Sequence, residues 1–433
     1  MTSASEPIRC LFLGASLYSG SVESSSHIAK SVHRSAKAVL TCCEELSHYT
    51  ETPGSIQRTF LSEPTHEVHR HLGAWMGRLG MSVWVDAIGN LRGVYAGAGA
   101  KRLIIGSHLD TVPNGGAYDG VIGVVIGIAL IELLGGERLA HTIEIIGFSE
   151  EEGVRFGVPF LGSRAMAGTF DRALLDRLDR AGVSVADAIR SFGLDPARIE
   201  NAELDADTAA YLEIHIEQGP VLEKACLALG AVEAIAGQTR AGVTFLGKSN
   251  HAGTTPMAFR RDALCAAAEW ILAVEREARR TPGLVATVGK IEASPGVANV
   301  ISGEVLATID VRHSVDQPRE RAFAAIVSSG YEIAHRRGLS FHHDVRLNQA
   351  AVPMNAELVA LVVESIAATG EPPMLMASGA GHDAMILAAR VPSAMIFVRS
   401  PGGISHHRDE TVLLEDVQTA LTAGSYFLRK LTL

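Results

Sequence analysis

The chain has 433 residues, of which 47% are apolar, and it carries a formal net charge of −10. A single hydrophobic core rarely grows beyond about 250–300 residues, so this length predicts two packed domains or one domain with a large insertion. The acidic balance excludes the basic surface with which proteins usually bind nucleic acids.

The N-terminus, the cysteines and the longest apolar run bear on the cellular compartment. Residues 10–15 are apolar but lack the length and the basic segment of a signal peptide, so we interpret residues 1–25 as a tail of unassigned role. Five scattered cysteines do not suit a disulfide framework and favour a reducing compartment. The apolar run at 121–134 is shorter than the roughly 20 residues that cross a bilayer and contains Glu132. We expect a cytoplasmic protein without membrane association.

The first half of the chain alternates strand patterns with a helical pattern. Strands are predicted at 103–106, 142–148 and 209–216, and an apolar helix is predicted at 119–134. Such alternation is typical of an α/β domain with a mainly parallel sheet covered by helices.

From about residue 222 the pattern changes to an α+β order. The predicted elements are strands at 224–247, 284–292, 303–311 and 340–347 and helices at 261–280 and 317–337. This order is typical of a small antiparallel unit of the ferredoxin-like kind, with two helices on one face. A helix at 355–368 and a strand at 394–398 then resume the α/β alternation. We therefore predict a larger domain at 1–221 and 348–433 and an inserted domain at 222–347.

Polar residues follow the predicted strands of the larger domain at the points where the strands end. The segment GSHLDT at 106–111 places His108 directly after the first strand, and Asp119 opens the apolar helix beside Gly120. Ligands gather beyond the carboxyl ends of strands in open α/β sheets, so His108 stands where a ligand is expected. Taken alone, Asp119 is better explained as the N-cap of the helix.

Further acids and imidazoles follow the other strands. Three consecutive acids at 150–152 end the second strand, although three acids on a solvated loop are a common alternative. His215 and Gln218 lie at the end of the third strand, and His406 and His407 follow the last one. Imidazoles combined with carboxylates suit zinc, manganese or nickel better than calcium or magnesium. The combination predicts a metal site with one spare carboxylate that can act as a base.

Ordered motifs connect the chain to a known family. They are GSHLDTV at 106–112, YDG at 118–120, EEG at 151–153, HIEQGP at 215–220, HAGTTPM at 251–257, PGVANVI at 295–301, DVRH at 310–313 and SGAGHD at 378–383. Together they resemble the allantoate amidohydrolase and N-carbamoyl-L-amino-acid hydrolase family, a branch of the dinuclear aminoacylase-like metallopeptidases. The resemblance runs from about residue 50 to the C-terminus.

The resemblance implies two divalent metal ions, manganese, zinc or nickel, in the larger domain, which becomes the catalytic domain. The implied ligands are His108 and His215 for one ion, Glu152 and His406 for the other, and Asp119 as the bridge between both. His407 stays an alternative to His406, because the two histidines are adjacent.

The same resemblance implies roles for three further residues. Glu151 is the general base, and Asp110 holds the imidazole of His108 through its second nitrogen, the usual support of a metal-bound histidine. His251 reaches the reacting carbonyl oxygen, often from the partner subunit of a homodimer. The inserted domain is then a lid and dimerisation domain.

Four residues are implied to hold the substrate carboxylate and ureido group. They are Gln218, Asn299, Arg312 and, through its backbone, Gly381. A bidentate arginine suits a carboxylate. Without its motif, Arg312 would be interpreted as a surface arginine at a strand end.

The implied reaction is hydrolysis of a C–N bond in a small ureido or carbamoyl acid. Segments 58–62, 75–76 and 85–90 look closer to the allantoate amidohydrolases, which release ammonia and carbon dioxide during purine-nitrogen recovery. The alternatives are an N-carbamoyl-L-amino-acid hydrolase and, after it, a dipeptidase or aminoacylase. An inactive relative that binds a ureido acid would lack a ligand or the base, whereas all six positions are filled here. Ala117 and Glu150 replace commoner residues and leave the substrate open.

Overall fold

The computed structural model describes residues 22–433, so most of the expected N-terminal tail lies outside the described residues. The chain forms two compact units. The first unit extends to Glu233 and adds Met354–Met376 and His382–Leu433, and the second comprises Ala234–Pro353 and Ala377–Gly381. Among the described residues no helix is both long enough and apolar enough to span a membrane.

Thirteen strands and eleven α-helices make up the regular structure of the described residues. The strands are β1 (Ser82–Val85), β2 (Leu91–Tyr95), β3 (Arg102–His108), β4 (Thr142–Phe148), β5 (Thr208–Ile216), β6 (Leu229–Ile235), β7 (Gly237–Leu246), β8 (Val285–Ser294), β9 (Glu304–His313), β10 (Ser340–Gln349), β11 (Val352–Pro353), β12 (Leu375–Ser378) and β13 (Ser393–Val398). The helices are α1 (Val22–Ser47), α2 (Glu63–Arg78), α3 (Val121–Leu133), α4 (Leu161–Met166), α5 (Val185–Ser191), α6 (Val221–Ala225), α7 (Ala263–Arg280), α8 (Asp316–Arg337), α9 (Ala356–Ala367), α10 (Asp383–Leu387) and α11 (Leu414–Lys430).

The larger sheet has the strand order β1-β2-β4-β3-β5-β13-β6-β11, with β12 also paired to β6. The four central strands β4, β3, β5 and β13 are parallel. The strands β1, β2, β6 and β11 pair in antiparallel fashion. The predicted parallel sheet is therefore confirmed at its centre, while these four outer strands are antiparallel.

Helix α3 fixes the position of the residues that precede it. It is apolar on all sides, and every residue from Val121 to Ile131 is buried. A helix of this kind must pack against other elements on all sides, and α3 packs against α1, α11, β3 and β5. Because α3 packs against β3 and β5, its N-terminal end lies at the carboxyl ends of those strands. Asp119 and Gly120 therefore lie beside the residues that end the strands.

The second unit contains a four-stranded antiparallel sheet of order β10-β7-β9-β8. Its elements follow the chain order β7-α7-β8-β9-α8-β10. Apolar side chains of the sheet and the two helices form one core, in which Trp270, Phe245 and Phe341 contact one another. The Nε1–H of Trp270 donates a hydrogen bond to the carbonyl oxygen of Ile326 (3.1 Å), which satisfies its polar atom.

The second unit begins and ends later than the inserted domain predicted at 222–347. Residues 222–233 belong to the first unit, because α6 and most of β6 lie there and β6 pairs with β13. Residues 348–353 belong to the second, as does the separate segment Ala377–Gly381. Turn and helix patterns alone did not reveal these long-range pairings.

His69 on α2 is a buried histidine without a hydrogen-bond partner for either ring nitrogen among the described residues. Burial lowers the pKa of His69 to about 3. Below a pH of about 6.5 the unfolded chain therefore binds a proton that the folded chain excludes, and the stability of the wild type falls as the pH drops from 6.5 towards 3. We expect His69→Leu to raise the free energy of unfolding by about 1 kcal/mol at pH 7 and by more at pH 5.

Urea unfolding of the variant and the wild type at both pH values measures this difference. His66→Leu, at an exposed position on the same helix, is the matched control and should show no comparable gain at pH 5. A stability difference between His69→Leu and the wild type that stays constant from pH 7 to pH 5 would contradict the expectation.

Candidate metal centre

Three adjacent parallel strands deliver polar side chains to one edge of the sheet. His108 ends β3, His215 lies one residue before the end of β5, and the acidic segment 150–152 follows β4. All are in the first unit. Since β4, β3 and β5 are parallel neighbours, their carboxyl ends meet at the same edge, which is where open α/β sheets bind ligands.

The two imidazoles of His108 and His215 face each other through their Nε2 atoms. The Nδ1 atoms of His108 and His215 lie 3.0 Å and 2.9 Å from the carbonyl oxygens of Asp110 and Ile216, so each Nδ1 carries a proton and donates it. On each ring, Nε2 is then the nitrogen that remains for a metal ion. These two Nε2 atoms are 3.4 Å apart, and Nε2 of His215 is also 3.4 Å from Oδ1 of Asp119. The ligand atoms of His108, His215 and Asp119 therefore lie close enough together to hold a metal ion.

A second group of polar side chains meets the other oxygen of Asp119. Nε2 of His406 lies 3.2 Å from Oδ2 of Asp119 and 3.3 Å from Oε1 of Glu152. His407 instead faces Asp409, with 3.6 Å between Nδ1 and the carboxylate. Of the two adjacent histidines, His406 is therefore the one that reaches the acids.

Asp119 does not cap the apolar helix. The N-cap residue of α3 is Gly120, and no side chain caps that end of the helix. The carboxylate of Asp119 is 4% exposed and accepts a hydrogen bond from Nε2 of Gln218 (2.9 Å). Interpreted alone, the position suggests a cap, and the structure shows that this interpretation is wrong.

The separations and the electrostatics both fit divalent ions. Tetrahedral ligands about 2.0–2.1 Å from a zinc ion are about 3.4 Å from one another, close to the distances between these donor atoms. Hydrogen bonds to Asp119 and Glu152 raise the pKa of His406 to about 10, so the site favours a positive charge between the carboxylates. Burial lowers the pKa of His215 to about 4, which keeps its lone pair free at neutral pH.

Asp110 holds the backbone of the acidic loop. Its two carboxylate oxygens accept hydrogen bonds from the backbone N–H groups of Glu151 (2.9 Å) and Glu152 (3.1 Å). Nδ1 of His108 lies 3.0 Å from the carbonyl oxygen of Asp110 and 3.5 Å from its carboxylate. Asp110 therefore contacts both the His108 imidazole and the backbone of the acidic loop.

The three consecutive acids differ in what they contact. Glu150 is fully buried and accepts backbone hydrogen bonds from Phe60 and Val154, each 3.1 Å long, so it shapes the loop. Burial raises the pKa of Glu151 well above its usual range, as expected of a carboxyl group that takes up a proton. Ligand atoms of His108, Glu151 and Glu152 also lie close enough together to hold an ion.

Three of the other predicted site residues, His251, Asn299 and Gly381, lie in the second unit. Nδ1 of His251 accepts backbone N–H bonds from Gly253 (3.1 Å) and Thr254 (3.2 Å), so the proton of the neutral ring is on Nε2, which is free to donate. The backbone carbonyl of Asn299 accepts from the N–H of Ala252 (2.9 Å), which brings the two segments together.

Arg312, also in the second unit, already has protein partners. Its Nε and Nη2 donate to the two carboxylate oxygens of Asp310 (2.8 and 2.9 Å), and its Nη1 donates to the carbonyl oxygen of Gly379 (2.6 Å). The guanidinium is half-buried and lines a cavity of about 920 Å³ together with Arg240 and Arg346. One N–H on each terminal nitrogen remains for a further acceptor.

Sequence reasoning missed three buried groups near the ligands. Glu410 accepts hydrogen bonds from the backbone N–H groups of Tyr118 (3.1 Å) and Asp119 (2.9 Å). Glu213 lies two residues before His215 on β5, and the ring of His382 lies 4.5 Å from that of His215. A carboxylate inside an apolar strand was a signal for Glu213, but no spacing pattern pointed to Glu410.

Gly120 leaves space for His108. It has a positive φ of 66°, and a methyl group there would overlap the His108 imidazole. We expect Gly120→Ala to weaken metal binding and to destabilise the fold, because the strained backbone costs about 1–2 kcal/mol and the imidazole must also move.

Gly135→Ala is the matched control, since Gly135 has a similar φ of 58° but open space around it. Bound metal per subunit and the urea midpoint, measured for both variants, separate backbone strain from displacement of the imidazole. Equal metal binding by the two variants would show that Gly120 does not protect His108.

Known proteins match this chain across most of its length. Peptidase family M20/M25/M40 matches residues 104–430. An N-carbamoyl-L-amino acid amidohydrolase of Geobacillus stearothermophilus is 39% identical and aligns over 86% of this chain and 92% of its own length. A probable allantoate deiminase of Oryza sativa subsp. japonica is 37% identical, with 87% and 84% aligned.

Among solved structures, an amidase of the hydantoinase/carbamoylase family from Burkholderia multivorans superposes with a TM-score of 0.86. It is 32% identical, and the match covers 91% of this chain and 97% of that one. The sequence match and the structural match thus agree with the motifs. The chain belongs to peptidase family M20/M25/M40, as a hydrolase of C–N bonds in the branch that contains allantoate amidohydrolases and N-carbamoyl-L-amino-acid hydrolases.

Proposed function

We propose that this protein is a metal-dependent amidohydrolase that cleaves a ureido or carbamoyl C–N bond, with allantoate as its substrate. The observation that carries the proposal is the convergence of acceptors on both oxygens of Asp119 beside the buried acid Glu151. A relative named allantoate deiminase supports the substrate.

Two groups of side chains would hold two divalent ions. His108, His215 and Asp119 would hold one ion, and Asp119, Glu152 and His406 would hold the other. Nitrogen and carboxylate donors suit manganese, zinc or nickel. When bound, such ions polarise a carbonyl group and lower the pKa of water.

The chemistry of the protein groups follows from their protonation. Glu151 accepts the proton of the attacking water as the oxygen bonds to the ureido carbon, and returns it to the leaving nitrogen as the C–N bond breaks. The Nε2–H of His251 donates to the carbonyl oxygen as negative charge develops there. The products are ammonia and a carbamate, which loses carbon dioxide.

Recognition of the acid is assigned to four residues. Gln218, Asn299, Arg312 and the backbone of Gly381 are proposed to hold the carboxylate and the ureido group. Arg312 suits this role because Asp310 and Gly379 hold its guanidinium in place while two N–H groups stay available.

The second unit is proposed to be a ferredoxin-like lid and dimerisation domain, with His251 serving the active site of the partner subunit in a homodimer. The element order β7-α7-β8-β9-α8-β10 and the antiparallel sheet support this assignment. Mixing the inactive variants Glu151→Gln and His251→Ala tests it, because a mixed dimer contains one intact site. Activity in the mixture supports active sites that are shared between subunits. A mixture that stays inactive after subunit exchange would contradict such sharing.

A cytoplasmic location is proposed as well. Cys42, Cys43, Cys226 and Cys265 are free thiols, which a reducing compartment preserves. In this setting the enzyme would recover purine nitrogen.

The second candidate is an N-carbamoyl-L-amino-acid hydrolase, which the relative from Geobacillus stearothermophilus favours by its name. A dipeptidase or aminoacylase and an inactive ureido-acid-binding relative rank lower. Ammonia release from allantoate, beside a panel of N-carbamoyl-L-amino acids and dipeptides, distinguishes these candidates. Turnover of allantoate alone supports the proposal, turnover of carbamoyl acids alone transfers it to the second candidate, and cleavage of dipeptides alone contradicts both.

A further inference from the structure

Glu410 is a buried carboxylate on the segment between His406 and α11, and it is 5% exposed. Its Oε1 accepts hydrogen bonds from the backbone N–H groups of Tyr118 (3.1 Å) and Asp119 (2.9 Å). Its Oε2 accepts from the hydroxyl of Ser405 (3.2 Å). One side chain therefore ties the segment before α3 to the segment that carries His406.

The contacts of Ser405 show which side of the metal centre this tie affects. The hydroxyl of Ser405 also lies 3.5 Å from Oδ2 of Asp119, the same oxygen that lies 3.2 Å from Nε2 of His406. The other oxygen, Oδ1, faces His215 and Gln218. Glu410 thus supports the half of the centre that contains His406.

The backbone leaves room for this carboxylate. A methyl group on Gly116 would overlap the carboxyl group of Glu410. Gly116 does not have a positive φ, so alanine is compatible with its backbone. The absence of a side chain at this position therefore keeps Glu410 in reach of the two N–H groups.

We propose that Glu410 is a positioning residue whose three hydrogen bonds set Asp119 and His406 at the separation that holds the ion shared with Glu152. This inference rests on the proposed function, since it needs two ions at the centre. Glu410 acts through the backbone of Asp119 and through Ser405, and it is not a catalytic residue.

Equilibrium dialysis against manganese, with bound metal measured per subunit, tests the proposal on the full-length protein. In Glu410→Ala one of the two ions should bind about 10- to 100-fold more weakly, while the other keeps its affinity. Glu410→Gln should retain both ions, because its amide oxygen can accept the same two N–H groups. Asp409→Ala, at the exposed neighbouring acid, is the control and should match the wild type.

A second route displaces the carboxylate without removing it. Gly116→Ala should weaken the same ion, and adding it to Glu410→Ala should cause no further loss, because the carboxylate that it displaces is gone. In steady-state assays at saturating metal, the kcat of Glu410→Ala should return most of the way to the wild-type value.

Two results would overturn the positioning role while the proposed function stands. One is that the wild type binds two ions and Glu410→Ala binds both of them with the wild-type affinities. The other is parallel loss of both ions in Glu410→Ala without rescue in Glu410→Gln. Failure of the wild type itself to bind manganese, zinc or nickel would instead overturn the proposed function, and this inference with it.

Discussion

Replacing Glu151 with glutamine is expected to lower kcat by about 10²- to 10⁴-fold while both metal ions stay bound. Glutamine keeps the shape of the side chain but cannot take a proton from water. The backbone N–H of Glu151 still donates to Asp110, so the loop keeps its conformation. Steady-state ammonia release and bound metal, measured on the same preparation, check the two halves of the expectation.

Glu223→Gln is a suitable control, because Glu223 is an exposed acid of the same unit. It should retain the activity and the metal content of the wild type. A Glu151→Gln variant that has lost its metal would make Glu151 a ligand, and one with full activity would assign the base to another group.

Replacing Asp119 with alanine is expected to have the largest effect of all single substitutions on metal content. Its two oxygens face both groups of acceptors, so neither group keeps enough negative charge without it. Both ions should be lost, and kcat/KM should fall by at least about 10³-fold, since bound metal contributes several kcal/mol to the reaction. Metal analysis after gel filtration, followed by the ammonia assay, measures both effects.

Asp171→Ala offers the comparison for Asp119→Ala, since Asp171 is an exposed acid that caps a short helix in the first unit. It should bind metal as the wild type does. If Asp119→Ala still binds two ions with unchanged affinity, the carboxylate does not bridge them.

The local patterns of the central elements predicted them well. The strand at Thr142–Phe148 has the bounds expected from its apolar run, and α3 lies within its predicted range. These segments are buried on every side, so their composition is dictated by the core alone. The short outer strands β1 and β2 carry no such signal, and the antiparallel pairing of β2 with β4 joins distant parts of the chain.

The candidate metal-site residues could be named from the sequence because their motifs lie at or after the ends of buried strands, and the structure brings these residues close together. What the motifs could not supply was geometry. Only the local backbone, with a φ of 54° at His406, turns that imidazole and not His407 towards Asp119. Glu410 escaped prediction because it acts on backbone N–H groups far away in the sequence, and no residue type marks such a partner.

One titration tests the central claim most directly. Metal-stripped protein is titrated with manganese, and ammonia release from allantoate is followed together with bound metal per subunit. We expect no turnover without metal and full turnover when two ions are bound. Turnover by the stripped protein, or silence with both sites filled, would contradict a dinuclear allantoate amidohydrolase.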